Sequence, residues 1–203
     1  MKRSLIVLLA MLALSPVLMS AGKEKKKKLT KAEQAAYNDS VEIHWMSIEQ
    51  AEAAMKKAPK KVWIDMYTAW CGWCKVMDRK TFTNPDVIRY MNANFYAVKM
   101  DAEQKDSITF QGRKYGFVPE NRANMLAVQL MNGQMSYPTS LIAEENFTRL
   151  YAFPGYQTVP QTEKIVRYFN EGDYKTKTWQ QHEAAFKPTW REHVVDGAPA
   201  AGH

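Results

Sequence analysis

The sequence is poor in the residues that bind metals or build disulfide frameworks. Its 203 residues include only two cysteines and four histidines. A structural zinc site needs about four ligands. The histidines are His44, His182, His193 and His203, and none stands at zinc-finger spacing. The cysteine pair could in principle supply two ligands of a zinc site. The rest of the sequence does not supply the other two at a suitable spacing.

Other functional signatures are missing as well. The sequence contains no phosphate-binding glycine loop, no Ser-His-Asp pattern and no internal repeat. The formal charge of +7 is concentrated near the N-terminus, where Lys2 and Arg3 contribute two charges and residues 23–31 contribute five. Residues 32–203 are then neutral overall, so the basic composition does not indicate binding to nucleic acid.

No apolar run reaches the roughly 20 residues that a membrane-spanning helix needs. The run from Leu5 to Leu14 follows two positive residues and precedes a group of small residues. This pattern is typical of a secretory signal peptide, which we expect over residues 1–22, with an uncleaved anchor as the alternative. The lysine-rich residues 23–40 are predicted to be a flexible linker, with attraction to an anionic membrane surface as a weaker alternative.

The two cysteines, Cys71 and Cys74, stand at a predicted junction between a strand and a helix. Residues 61–67 are almost continuously apolar, which is typical of a parallel strand buried on both faces. In a helix that follows, the cysteines lie one turn apart on one face, and Cys71 occupies the N-terminus, where the helix dipole favours a thiolate. Such a pair is a reactive dithiol. A purely structural disulfide is the alternative, although so short a loop constrains the unfolded chain little.

These residues resemble the active site of the thioredoxin superfamily, in which an apolar strand with an acidic residue leads into W-C-x-x-C-K. Trp70 and Lys75 bracket the pair, and Asp65 stands six residues before the first cysteine. Trp73 replaces the proline of thioredoxin itself, and this dipeptide tunes the redox potential in the family. The resemblance covers roughly residues 42–170. It implies an α/β fold, a thioredoxin-like three-layer sandwich with a central mixed β-sheet flanked by helices.

The remaining pattern is consistent with one such domain over residues 41–170. Ser47 with Gln50, and Asn84 with the proline after it, are helix start signals. Residues 102–122 exceed what thioredoxin has at this point and predict a β-hairpin insertion. The other predicted elements are strands at 42–45, 94–101, 139–143 and 147–153, and helices at 85–92, 122–131 and 160–169.

Residues 171–203 form a C-terminal extension beyond the minimal fold. Thr178 begins a capping box that predicts a short helix ending near Phe186. Trp179, Phe186 and Trp190 are too apolar for a free tail, so we expect them to dock on the domain, with docking on a partner as the alternative. The end of the chain from Gly197 is expected to be disordered.

The resemblance also assigns chemical roles. It implies that Cys71 is the attacking thiolate and Cys74 the resolving thiol, and that the two form a redox-active disulfide. Asp65 would be buried beneath them, with a raised pKa, and would exchange a proton with Cys74. We expect Cys71 to be exposed and Cys74 to be shielded. Lys99 has two interpretations, as a partner of the buried acid or as an ordinary solvated lysine.

A second set of residues is expected to bind the substrate. By resemblance, Pro138 is the cis-proline that faces the cysteine pair in this superfamily. Pro138 and the backbone of Tyr137 would hold the substrate segment extended beside the disulfide. Trp70 and Trp73 would form an apolar contact surface, and packing within the protein is the alternative for both. Tyr156 has the same two interpretations.

Together these features predict a thiol–disulfide oxidoreductase that acts on exported proteins containing cysteines, with reduction as the favoured direction. An oxidase or isomerase is the alternative within this chemistry, and a redox-inert binding module is the alternative outside it. The predicted mechanism needs no metal or organic cofactor. We expect a monomer in the periplasm or otherwise exported, with a membrane or periplasmic redox partner and no nucleic-acid partner.

Overall fold

The computed structural model describes residues 41–192, and its centre is a five-stranded mixed β-sheet. The strands are β1 (Trp45–Met46), β2 (Lys61–Tyr67), β3 (Phe95–Asp101), β8 (Thr139–Ala143) and β9 (Leu150–Pro154). They lie in the order β1-β3-β2-β8-β9. Because β2 pairs parallel with β3 and antiparallel with β8, the strand that precedes the cysteines is central, as its apolar character predicted.

Six α-helices lie wholly within the described residues. They are α1 (Ile48–Met55), α2 (Gly72–Lys80), α3 (Pro85–Asn94), α4 (Met125–Leu130), α5 (Val159–Asn170) and α6 (Trp179–Ala185). Ser47 and Thr178 form the predicted capping boxes, and Asn84 accepts the first free N–H groups of α3. The start signals in the sequence therefore correctly place three of the helices.

Alternate residues of the central strand face two separate apolar clusters. Ile64 and Met66 pack with residues of α1 and α4 on one face. Trp63 packs with residues of α2, α3 and α5 on the other. Helices on both faces of a mixed sheet give the thioredoxin-like three-layer sandwich that the resemblance implied. Since both faces of β2 are covered, the acidic residue of this strand, Asp65, is buried as well.

Two pairs of short strands form the insertion. They are β4 (Ile108–Phe110) with β5 (Arg113–Tyr115), and β6 (Phe117–Val118) with β7 (Ala123–Asn124). The first pair is the predicted hairpin, and its turn uses Gly112 at φ +72°, where glycine carries no steric penalty. The second pair was not predicted, because strands of two residues leave no periodic signal.

The helix predicted from about residue 122 begins later, at Met125. Arg122 has φ +52°, which is not helical. Asn124 accepts the N–H of Leu126 as the N-cap, while its amide donates to the carbonyl of Tyr115 in the insertion. The predicted start is wrong because Asn124 is held by the insertion, and a sequence window around the helix does not show this contact.

Two predicted strands are shorter in the structure. The strand expected from residue 147 begins at Leu150, because Glu145–Phe147 form a 3-10 turn. Phe147 therefore lies outside the strand, and its ring packs edge-on against Phe110 of the insertion, with ring centroids 4.8 Å apart. At the other edge of the sheet, the strand expected at residues 42–45 is a two-residue strand at Trp45–Met46, which shares only Trp45 with the prediction.

The C-terminal extension docks on the domain, as predicted. Trp190 is buried, and its ring packs against Tyr90 of α3. Glu163, fully buried on α5, accepts the backbone N–H of Thr189 at 2.7 Å and pairs with Arg167 at 3.0 Å. Burial works to raise the pKa of Glu163, but the hydrogen bonds from the extension and Arg167 outweigh it and leave the pKa lowered. The buried, ionised Glu163 thus binds the extension to α5.

Residues 1–40 and 193–203 lie outside the described part of the chain. The predicted signal peptide, the lysine-rich linker and the last residues of the extension fall in these ranges. No helix within residues 41–192 has the length and apolar character needed to cross a membrane.

Candidate functional site

The two cysteines lie where β2 leads into α2, and a disulfide joins them. Cys71 is the N-cap residue of α2, and its sulfur accepts the backbone N–H of Cys74 at 3.0 Å. This hydrogen bond and the positive end of the helix dipole would stabilise a thiolate on Cys71 once the disulfide opens. The geometry therefore suits Cys71 to the attacking role.

Cys71 and Cys74 were expected to differ in exposure, and in the structure they do not. Cys71 is 4% exposed and Cys74 is 3% exposed. The expectation of an exposed Cys71 is wrong for the disulfide form, because its sulfur turns toward the first turn of α2 and accepts the N–H of Cys74. The exposed surface beside the disulfide belongs instead to Trp70 and Trp73, which are 64% and 53% exposed.

Both exposed tryptophans are held by neighbours. The Trp70 ring packs edge-on to Tyr137 with centroids 5.9 Å apart, and its Nε1–H donates to Glu103 at 3.1 Å. The Trp73 ring stacks on Tyr156 with centroids 5.7 Å apart. The two indoles thus present a fixed apolar surface next to the cysteine pair, and Tyr156 belongs to this surface.

Two grooves flank Tyr137 at the start of β8. The peptide bond between Tyr137 and Pro138 is cis, as the resemblance implied. One groove, of about 260 Å³, is lined by Trp73, Tyr137, Pro138, Gly155 and Tyr156. The other, of about 370 Å³, is lined by Trp70, Glu103, Asn121, Arg122, Met135 and Tyr137. The cis-proline and both tryptophans predicted to bind substrate are therefore brought together around one tyrosine.

Asp65 lies beneath this surface, on the face of the sheet that α2 covers. Its neighbour two residues earlier, Trp63, packs in the same cluster as Met77 of α2, and residues two apart on a strand share a face. Asp65 is 2% exposed. Burial raises the pKa of Asp65 to about 6, although Lys99 draws it down. A carboxyl group with this pKa can take up and release a proton near neutral pH.

Lys99 connects the buried acid to the helix that carries Cys74. Its Nζ lies 2.9 Å from Asp65 Oδ2 and also pairs with Asp78 of α2. Burial works to lower the pKa of Lys99, but the two carboxylates outweigh it and raise the pKa. Of the two interpretations of Lys99, the structure supports the one that places it beside Asp65.

Sequence reasoning missed two residues of the site. Asp78 stands four residues after Cys74, a helical spacing that places both on one face and that was available as a signal. Glu103 belongs to the turn after β3 and reaches Trp70 through a side-chain hydrogen bond that spans 33 residues of sequence. A local sequence pattern cannot predict a contact between residues so far apart in the chain.

The zinc alternative finds no ligand set in the described part of the chain. Within residues 41–192, no group of three or more histidine, cysteine, aspartate or glutamate side chains could hold a metal ion. The ring nitrogens of His182 lie 2.9 Å from an Asp173 carboxylate oxygen and 3.1 Å from the carbonyl of Lys164. This histidine therefore binds the C-terminal extension to α5.

Comparison with known proteins finds distant relatives. The chain is 29% identical to mouse spermatogenesis-associated protein 20 over an aligned stretch of 75 residues. That stretch is 37% of this chain and 9% of the mouse protein. The chain thus spans less than a tenth of the curated relatives it matches. A solved DsbH oxidoreductase is 14% identical, with a TM-score of 0.49 over 74% of this chain and 96% of the other. A putative disulphide-isomerase from Bacteroides thetaiotaomicron is 22% identical, with a TM-score of 0.47 over 69% and 98%.

One family model covers most of the chain. It is described as Thioredox_DsbH, protein of unknown function, DUF255, and it matches residues 26–193. The matched range contains both cysteines, Asp65 and Pro138, and it extends through the docked C-terminal residues. The chain therefore belongs to the Thioredox_DsbH family.

Proposed function

We propose that this protein is a thiol–disulfide oxidoreductase that reduces disulfides of exported proteins. One observation carries the proposal: a disulfide stands at the N-terminus of α2, and the sheet face that this helix covers holds a buried carboxyl group, Asp65, whose pKa is raised by burial to about 6. Cys71 and Cys74 are the only cysteines of the chain. The bridge between them is the only disulfide that one chain can open and close.

The first step uses the reduced protein. The Cys71 thiolate attacks one sulfur of the substrate disulfide, so that a bond forms between Cys71 and that sulfur. The substrate S–S bond breaks, and its second sulfur leaves as a thiolate, which takes a proton from water. The Cys74 N–H, which lies 3.0 Å from Cys71 Sγ in the disulfide form, favours the thiolate that begins this step.

The second step releases the substrate. Cys74 gives its thiol proton to the Asp65 carboxylate, its sulfur bonds to Cys71, and the remaining substrate sulfur leaves as a thiolate. Two electrons have then passed from the protein to the substrate, and the Cys71–Cys74 disulfide of the structure results. A dithiol protein in the membrane or periplasm must return two electrons before the next cycle.

The grooves around Tyr137 suit a polypeptide substrate. Successive side chains of an extended segment point to opposite sides, so neighbouring side chains can enter the two grooves that share Tyr137. Trp70 and Trp73 supply exposed apolar area next to the disulfide, and aromatic side chains are effective anchors for protein partners. We assign Pro138 and the Tyr137 backbone to holding the segment beside Cys71.

We infer the direction of electron flow, reduction rather than oxidation, from the charges beneath the site. A strongly oxidising dithiol protein has a reduced form that is stabilised as a thiolate of very low pKa. Here Asp65 and Asp78 share a single lysine, Lys99, on the side of the sheet that α2 covers. The excess carboxylate charge opposes a thiolate. On this argument we expect a destabilised reduced form and a low reduction potential.

The reduction of insulin by dithiothreitol tests this function. The wild-type protein should accelerate precipitation of the insulin B chain, and the Cys71→Ala variant should not, because it lacks the attacking sulfur. Equal rates for both proteins would contradict the proposal and favour a redox-inert binding module. A protein that oxidises a reduced, unfolded substrate faster than it reduces insulin would favour the oxidase alternative.

A further inference from the structure

A row of three polar side chains crosses the sheet on the face that α2 covers. The strand register makes Lys99 of β3, Asp65 of β2 and Ser140 of β8 direct neighbours. Trp63 and Ile142, which stand two positions away on β2 and β8, belong to the apolar cluster on this face. Because side chains two apart on a strand share a face, Ser140 lies on the same side of the sheet as the proton acceptor.

The row is hydrogen bonded at one end only. Lys99 Nζ donates to Asp65 Oδ2 at 2.9 Å. The other carboxyl oxygen, Asp65 Oδ1, and the hydroxyl oxygen of Ser140 are buried, and neither has a hydrogen-bond partner among residues 41–192. Asp65 is 2% exposed and Ser140 is 0% exposed. Two polar atoms without protein partners therefore belong to adjacent side chains on β2 and β8.

The spacing suits one bridging water molecule. Side chains directly opposite each other on antiparallel strands have Cβ atoms about 4.5–5.5 Å apart. The structure shows no direct hydrogen bond between Asp65 Oδ1 and Ser140 Oγ. Buried waters typically occupy such sites between polar groups that lack other partners. A hydroxyl both donates and accepts, so Ser140 can orient that water for either protonation state of Asp65.

We propose that Ser140 is a positioning residue for Asp65, which it holds through one buried water bound between Ser140 Oγ and Asp65 Oδ1. The inference rests on the proposed function, in which Asp65 takes the proton of Cys74. When Asp65 is ionised, the water donates to Oδ1 and accepts from Ser140. When Asp65 is protonated at Oδ1, the water accepts that proton in a hydrogen bond and donates to Ser140. The carboxyl group thus keeps its orientation through the proton transfer.

The pKa of Asp65 in the oxidised protein tests the proposal. It can be measured by carbon-13 NMR of the aspartate carboxyl groups across a pH titration. Ser140→Ala removes the group that orients the donor to the carboxylate, so the pKa of Asp65 should rise by about one pH unit. Ser140→Thr keeps a hydroxyl and should restore a value near that of the wild type.

Thr162→Val is the matched control. Thr162 also has a buried hydroxyl without a partner among residues 41–192, but it lies on α5 and outside the row. This variant should leave the pKa of Asp65 unchanged. An unchanged pKa in Ser140→Ala, or an equal rise in Thr162→Val, would overturn the proposal.

A second measurement does not depend on any variant. A high-resolution crystal structure of the oxidised protein should show a water within hydrogen-bond distance of both Asp65 Oδ1 and Ser140 Oγ. Direct contact of the two side chains, or an empty gap, would overturn the proposal. Neither measurement requires turnover, so both outcomes are separate from success or failure in the reduction of insulin.

Discussion

Cells that produce the Cys74→Ala variant should accumulate covalent adducts between Cys71 and exported proteins that contain cysteines. Cys71 keeps its place at the N-terminus of α2, so it can still attack a substrate disulfide. Release requires a second sulfur on the same helix face, and this variant lacks it. Well-oriented intramolecular reactions reach effective concentrations of about 10⁵ M, so turnover should fall by roughly a thousandfold or more when external thiols must replace Cys74.

The adducts are to be read on non-reducing gels and should collapse to free protein when reducing agent is added. The full chain should be expressed, including residues 1–40, so that its destination is unchanged. Cys71→Ala is the matched control and should trap few partners, because Cys74 lies one turn inside the helix and does not receive the capping N–H. If Cys74→Ala is present at normal levels and runs only as free protein, disulfide exchange is not its function.

Asp65→Asn should raise the free energy of unfolding of the oxidised protein at pH 8 by about 3 kcal/mol. Burial raises the folded-state pKa of Asp65 from 3.8 to about 6, so the folded protein holds this proton more tightly than the unfolded chain. The contribution of this bound proton to the free energy of unfolding is therefore complete below pH 4, and it is lost as the pH rises through 6. A shift of this size corresponds to about 3 kcal/mol, and asparagine does not titrate.

Urea unfolding at pH 3, 5, 7 and 8 measures this effect. The difference between Asp65→Asn and the wild type should be small at pH 3 and should grow between pH 4 and 6. Asp78→Asn is the matched control, because Asp78 binds the same lysine but its side chain is 42% exposed. It should change stability by less than about 1 kcal/mol. A difference for Asp65→Asn that does not vary with pH would show that burial does not raise the pKa of Asp65.

The parts of the fold that depend on neighbouring residues could be predicted from the sequence. The capping boxes at Ser47 and Thr178, the central strand at Lys61–Tyr67 and the turn at Gly112 all formed as expected. In each case the signal lies within one turn or one strand of the structure that it determines. The cysteine pair was found for the same reason, because the strand and the helix around it are consecutive in sequence. Asp65 was found by its resemblance to the buried acid of the thioredoxin superfamily.

Features that depend on distant residues could not be predicted. Asn124 was missed as an N-cap because its amide is held by carbonyl groups of the insertion. Ser140 looked like an ordinary strand residue until the register placed it opposite Asp65. The burial of Cys71 likewise follows from the direction of its sulfur. Register and side-chain direction are set by packing over the whole domain, which local sequence patterns do not record.

The docking of the extension shows where composition is enough and where it is not. Three aromatic residues after position 178 predicted that the extension would be held on the domain. They did not identify Glu163, whose buried carboxylate accepts the backbone N–H groups of Thr189 and Trp190. A charged residue in a helix is usually solvated, so its role as an anchor is visible only in the structure.

The reduction potential of the Cys71–Cys74 pair tests the proposed direction of electron flow most directly. It can be measured by equilibrating the protein with glutathione buffers and following the fraction of disulfide with a thiol-alkylating label. If excess carboxylate charge beneath α2 disfavours a thiolate, the potential should be near about −270 mV, as in a reducing thioredoxin. A potential near about −120 mV, the value of a strong oxidant, would contradict the assignment as a reductase.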